Sequence, residues 1–263
     1  SSTQEKFTEL KNSDNSPIAW LVANEALNKS IEKQINDFIL SNQITKIRKK
    51  IVKICLKDNN VEVDFDQNIS LKCQLIIGAD GSKSNIRELV GIKSIDKLVS
   101  KQAIVCTLKH NNVYPHTSWQ RFLNTGTIAL LAMKNQKNSG FSSLIWVLPE
   151  KIINEKLKLS AKDLEMNINN IFGNKLGKLE IYSKINVWKL NRIDVPCPIK
   201  KRCVVIGDAA HNIYPLSGQG FNLSIGDIKC LTNELKFSKS RGLDFGEIET
   251  LERYQNKRKI NVK

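Results

Sequence analysis

No apolar run in this 263-residue chain approaches the roughly 20 residues that a helix needs to cross a bilayer. A membrane-spanning helix is therefore not expected. The six cysteines (Cys55, Cys73, Cys106, Cys197, Cys203 and Cys230) form no C-x-x-C pair and join no His/Cys cluster. That argues against a metal site and points to buried free thiols in a reducing compartment. Acidic residues are scarce, 26 against 41 basic ones, for a formal net charge of +15. Of the 41, 33 are lysines, spread evenly among Asn and Ile and not interleaved with aromatics. A solvated lysine surface is the plainest reading. Attraction to anionic lipid, worth about 1 kcal/mol per Lys near the surface, comes second. Nucleic acid is not expected, because no binding motif accompanies the charge. No Ser/His/Asp set and no pair of catalytic acids is visible. The chain starts at Ser1 rather than Met and shows no signal or transit pattern, so it is expected to be a segment of something longer. Its length and its 41% apolar content suit one large or two smaller globular domains.

Ser13–Pro17 reads as a turn, followed by the short apolar run Ile18–Val22. Asn24 can cap a helix in which Leu27, Ile31, Ile35 and Phe38 recur at spacings of four, four and three, ending near Ser41–Asn42. From Lys50 the period falls to two. Val52, Ile54 and Leu56, then Val61, Val63 and Phe65, then Ile69, Leu71 and Cys73 alternate with polar residues between turns, which predicts a small antiparallel meander. The buried-strand run Leu75–Ile77 follows. Residues 93–195 have another texture: apolar stretches at 103–108, 127–133 and 143–149, a helical stretch at about 160–172, and the run Ile185–Leu190. These predict an antiparallel sheet packed on one side by helix. Trp119, Phe122, Trp146 and Trp188 in this region can line an aromatic-ligand pocket, although core packing is the commoner role for each.

Two strand ends carry chemistry. Val204–Ile206 is a β-branched run ending in Gly207-Asp208-Ala209-Ala210-His211, followed by Pro215, Gly218-Gln219-Gly220, Asn222 and an apolar-periodic helix with Leu223, Ile228, Leu231 and Leu235. An acid at the end of a buried strand accepts hydrogen bonds from sugar hydroxyls, and α/β folds bind ligands at such ends. The Gly218–Gly220 turn admits close backbone approach, and the helix start offers free N–H donors. Together these describe half of a dinucleotide site. Leu75–Ile77 ends in a parallel feature, Gly78-Ala79-Asp80-Gly81, with Ser82 or Ser84 able to cap the helix that carries Arg87.

The stretch from Gly207 to Asn222 resembles the second flavin fingerprint of the group A flavoprotein aromatic hydroxylases. Ala79-Asp80-Gly81-Ser82 through Arg87 and Gly91-Ile92 resembles their middle Asp-Gly fingerprint. Within that group the chain is most similar to the ubiquinone-biosynthesis hydroxylases of the 2-polyprenyl-6-methoxyphenol hydroxylase type. Trp119-Gln120-Arg121-Phe122, Gly126, Ala129-Leu130-Leu131 and Ser143-Leu144-Ile145-Trp146 resemble their substrate-sheet segments, and Arg253-Tyr254-Gln255 the start of their next helix. The likeness runs from about Pro17 onward. It implies an α/β, para-hydroxybenzoate-hydroxylase-like FAD-binding fold, incomplete, with an inserted antiparallel-sheet substrate domain. The expected division is 1–92 and 196–263 for the FAD-binding parts and 93–195 for the insert.

By the same resemblance Gly207 and Asp208 would bind flavin ribityl or ribose hydroxyls. Gly218, Gln219, Gly220 and Asn222 would place backbone donors at the isoalloxazine and pyrophosphate, with Pro215 beside the ring. Asp80, Gly81 and Arg87 would support FAD and a transient NAD(P)H. His211 is a motif residue with no evident acid/base partner. The implied reaction is hydroxylation of a polyprenyl phenol by a cytoplasmic enzyme peripheral to the inner membrane or held in a ubiquinone-synthesis complex. The family's G-x-G-x-x-G unit is not found: the one G-x-G, Gly218-Gln219-Gly220, has Leu223 at the third glycine position. A fragment of a working enzyme is the first expectation. An inactive remnant, or a reductase, epoxidase or halogenase of the same fold, are the alternatives.

Overall fold

The computed structural model describes residues 19–113, 117–133, 139–213 and 219–262. In chain order, α1 (Asn24–Leu40) precedes the strands β1 (Ile51–Leu56), β2 (Val61–Phe65), β3 (Ile69–Cys73) and β4 (Ile76–Gly78), then α2 (Asn85–Leu89). Next come β5 (Ile95–His110), β6 (Trp119–Leu123), β7 (Gly126–Ala132), β8 (Gly140–Pro149), α3 (Glu150–Lys156), α4 (Ala161–Phe172), β9 (Leu179–Ile181) and β10 (Asn186–Asp194). The chain continues through β11 (Ile199–Lys200), β12 (Cys203–Val205), β13 (His211–Asn212), α5 (Gln219–Ser240) and α6 (Ile248–Val262). It divides into two compact units: the chain up to Lys46 with Ser100–Lys189, and Ile47–Val99 with Leu190–Lys263. Ile47–Val99 and Leu190–Lys263 thus flank Ser100–Lys189 in the chain. Helix α1 belongs to the same unit as Ser100–Lys189.

In the first unit, β8 pairs antiparallel with β5 and β7, β7 with β6, and β5 also with β9. Period-two alternation sends one face inward. The registers align Ile104 with Trp146 and Ile128, and Cys106 with Leu144 and Leu130, in two cross-strand rows. Leu164, Ile168 and Phe172 of α4 join the same core. Ser160 caps this helix, its hydroxyl accepting from the Asp163 N–H at 3.2 Å. Each such Leu or Ile contributes about 1.5–3 kcal/mol on burial. Trp146 is buried and Trp119 packs against the core, whereas Phe122 and Trp188 are exposed, so the four aromatics split between core and surface. The α1 stripe behaves otherwise than its spacing suggests. Asn24 is the first helical residue rather than the cap, and no α1 residue is buried among the described residues.

In the second unit, β4 and β12 run parallel with Cys203 opposite Ile76 and Val205 opposite Gly78, and β11 adds antiparallel to β12. Cys203 and Val205 face a core made with the meander and α2, while Val204 and Ile206 face Leu231, Leu251 and Tyr254 of α5 and α6. Burial on both faces is why this strand reads as an unbroken apolar run. The meander β1–β2–β3 forms in the expected order. Val52, predicted to point inward, is exposed, because the register slips between Ile51 and Lys53 and reverses the alternation there. Two cysteines, Cys106 and Cys203, are buried as expected of free thiols, but Cys55 and Cys197 are exposed. Among the described residues, no helix is long and apolar enough to cross a membrane.

Candidate functional site

Parallel pairing of β4 and β12 brings their two Asp-bearing ends together in the second unit. A cavity of about 360 Å³ opens there, lined by Ala79, Gly81, Gly207, Asp208, Phe221 and Ser224 among others. Asp208 is exposed at this cavity, on a single turn of 3-10 helix that follows β12. Gly207 adopts φ +60°, and a Cβ there would stand 3.1 Å from Ser224 Oγ. Glycine thus serves both the left-handed turn and the close approach of α5.

The Asp80 turn is held differently. Asp80 accepts from the Ser84 hydroxyl at 2.5 Å and from the Ile86 N–H at 3.0 Å, so both carboxylate oxygens brace the start of α2. Of the two candidate caps it is Ser84 that accepts from the Arg87 N–H. Arg87 is buried, and its guanidinium donates to Ala209 O at 2.8 Å and Ser82 O at 2.9 Å. It therefore ties the Asp80 turn to the Asp208 turn rather than projecting into the cavity. Gln219, Gly220 and Asn222 occupy the first turn of α5, with Gln219 and Asn222 exposed. Pro215 and Gly218 lie outside the described residues.

His211 has the partner that the sequence did not reveal. Its Nε2 donates to Asp227 Oδ2 at 2.6 Å, and the same carboxylate accepts from the Gly207 N–H at 2.9 Å and from Arg258 Nε at 2.6 Å. Burial alone would raise the Asp227 pKa, but the His211 hydrogen bond, the Gly207 amide and Arg258 hold it below its ordinary value. Tyr254 packs beside this group, and burial pushes its hydroxyl pKa up. A second cavity of about 610 Å³ is lined by Arg192, Asp194, His211, Tyr254, Gln255 and Arg258 among others. Asp227 reads in sequence as one more charge on a helix. The available signal was its place between the apolar residues Leu223 and Leu231, where a solvated acid does not belong.

The residues present suit the flavin-contacting half of FAD: an exposed carboxylate at a strand end, glycines lining a cavity, and a helix start beside it. The cavity of about 360 Å³ lies near the small end of the range for ligand sites.

Curated proteins similar to the chain include the ubiquinone hydroxylase UbiL of Rhodospirillum rubrum, 26% identical over 239 residues, covering 91% of this chain and 54% of that protein. The mitochondrial ubiquinone biosynthesis monooxygenase COQ6 of Homo sapiens is 25% identical over 288 residues, covering 92% and 59%. The chain spans about half the length of the curated relatives it matches. Among solved structures, P. aeruginosa PqsL in complex with 2-aminobenzoylacetate superposes with a TM-score of 0.72 at 17% identity over 89% of this chain and 64% of that one. The flavin-dependent halogenase CmlS gives 0.65 at 16% identity over 87% and 43%. These likenesses show the mixed α/β, para-hydroxybenzoate-hydroxylase-like fold. The model of the FAD binding domain family matches residues 57–262, from the meander to the end of α6, and the chain belongs to that family.

Proposed function

We propose that this chain carries the flavin-contacting part of an FAD-dependent monooxygenase that hydroxylates a polyprenylated phenol in ubiquinone biosynthesis, with NAD(P)H and O2 as co-substrates. The observation that carries the reading is the pairing of the two Asp turns at the ends of β4 and β12, bridged by Arg87 and joined by the start of α5. The names of UbiL and COQ6 support the substrate class and pathway. FAD, when bound, supplies the redox chemistry. The chain's own part is to hold hydroxyls at Asp208, to shape the cavity with Gly81 and Gly207, and to fix the spacing of the turns.

Peripheral attachment to a membrane fits a prenylated substrate. It is supported by the net charge of +15 and by Trp20, Leu21 and Val22, which are exposed just before α1. The test is direct. The purified chain is titrated with FAD, then incubated with NADPH, O2 and a short-chain polyprenyl phenol, and the product is weighed by mass spectrometry. Flavin uptake with a product one oxygen heavier supports the proposal. Flavin uptake with NADPH oxidation but no oxygenated product points to a reductase of the same fold. No flavin uptake counts against the proposal.

A further inference from the structure

The Gly207–Asp208 turn has few bonds of its own. It follows a three-residue strand, occupies one turn of 3-10 helix, and starts from a left-handed glycine. Its amide at Gly207 is satisfied from outside, by the carboxylate of Asp227 twenty positions along on α5. That carboxylate is almost wholly buried and serves three donors on three elements: Gly207 at the start of the turn, His211 on β13 after it, and Arg258 on α6. Arg258 in turn donates to Leu223 O at 3.1 Å and lies across Gly226, where a Cβ would stand 3.0 Å from its guanidinium. Charge balances within the group. Arg258 neutralises Asp227.

We propose that Asp227 is the positioning residue of the flavin-binding turn. One buried carboxylate sets the geometry on both sides of Asp208 and fixes the turn against α5, and FAD affinity depends on it without Asp227 touching FAD. This rests on the flavin reading above for its ligand, but not for its geometry.

The experiment compares the wild-type chain with Asp227→Asn and Asp208→Asn. It follows Gly207 amide hydrogen exchange by NMR and FAD affinity by fluorescence titration. Asp227→Asn keeps the shape but places an amide group among donors. It should speed exchange at Gly207 and weaken FAD by about tenfold or more each, the factor that corresponds to losing one hydrogen bond to a charged group. Asp208→Asn should weaken FAD and leave Gly207 protected, separating contact from positioning. Should Asp227→Asn not fold, His211→Gln, which can keep a donor toward Asp227, and His211→Phe, which cannot, replace it. Positioning then requires that only the Phe variant loses Gly207 protection. Unchanged protection at Gly207 in Asp227→Asn, or loss of protection with FAD affinity intact, overturns the proposal. If the wild-type chain takes up no FAD, the flavin reading fails and the exchange arm alone decides whether Asp227 holds the turn.

Discussion

Replacing Arg87 by methionine keeps most of the side-chain volume but deletes the two hydrogen bonds that join the Asp80 and Asp208 turns. Bonds from a charged donor are worth about 1.5–3 kcal/mol each. Ser82 is half-buried, so water can replace part of that loss. The expected cost is then about 2–4 kcal/mol, a large share of the 5–15 kcal/mol typical of a domain. With a urea slope of about 1–3 kcal/mol/M, the unfolding midpoint should fall by roughly 1–2 M. FAD titration of the same variant should show weaker binding, because the distance between the turns is no longer fixed. Arg87→Lys makes the finer test. It keeps the charge but cannot span two carbonyls as a planar guanidinium does, so it should recover only part of the loss. A methionine variant within about 0.5 kcal/mol of wild type would refute the bridge. So would a lysine variant indistinguishable from wild type. If Arg87 instead contacted a nicotinamide cofactor, its loss would raise the KM for NADPH and leave the urea midpoint alone.

Three more outcomes follow from the geometry. Arg202 is fully buried, with φ +65°, and donates to Asp58 O at 2.6 Å and Gln74 O at 3.0 Å. Its carboxylate partners Asp244 and Glu247 are more than a third exposed and count for little. Arg202→Met should therefore cost about 2–4 kcal/mol, through the two carbonyls, and lower the melting temperature by roughly 5–15 °C; a shift under about 2 °C would count against it. Asp227 and Glu234 both have pKa values held below their ordinary ones in the fold. Their stabilisation is complete above the unfolded values near 4 and is lost as pH falls below them. Stability should thus decline from about pH 5 downward, and Asp227→Asn should flatten that decline. A thiol-modifying reagent should label Cys55 and Cys197 in the native protein. Cys106 and Cys203, whose pKa values burial raises to about 11 and about 12, should react only after unfolding. Simultaneous labelling of all six would contradict the burial pattern.

The two Asp turns were legible because each is local: a β-branched run, a glycine and an acid within a few residues. The meander was legible for the same reason, down to its turns. What escaped was what depends on distant partners. Arg87 reads as a residue near a cofactor motif, and only the fold brings Ala209 O, 122 positions away, to its guanidinium. Asp227 and Arg258 sit 31 positions apart on different helices, so neither announces the other. Val52 was misplaced by a one-residue register slip that alternation cannot foresee. The α1 stripe has the helical period but no buried residue, since period records an apolar face and not what covers it. The helix α3 went unread although Pro149-Glu150 marks a helix start.

In the described residues β4 stands at the end of the order β11-β12-β4, with one neighbour and one open side, and Ile77 on it is exposed. Phe221, Ile225 and Ile228 of α5 are exposed in the same unit. A free strand edge with apolar side chains nearby is a template for any extended segment that meets it, and natural sheets shield such edges with lysine, proline or a covering element. Here the shield is brevity: three residues offer too short a ladder to seed long pairing.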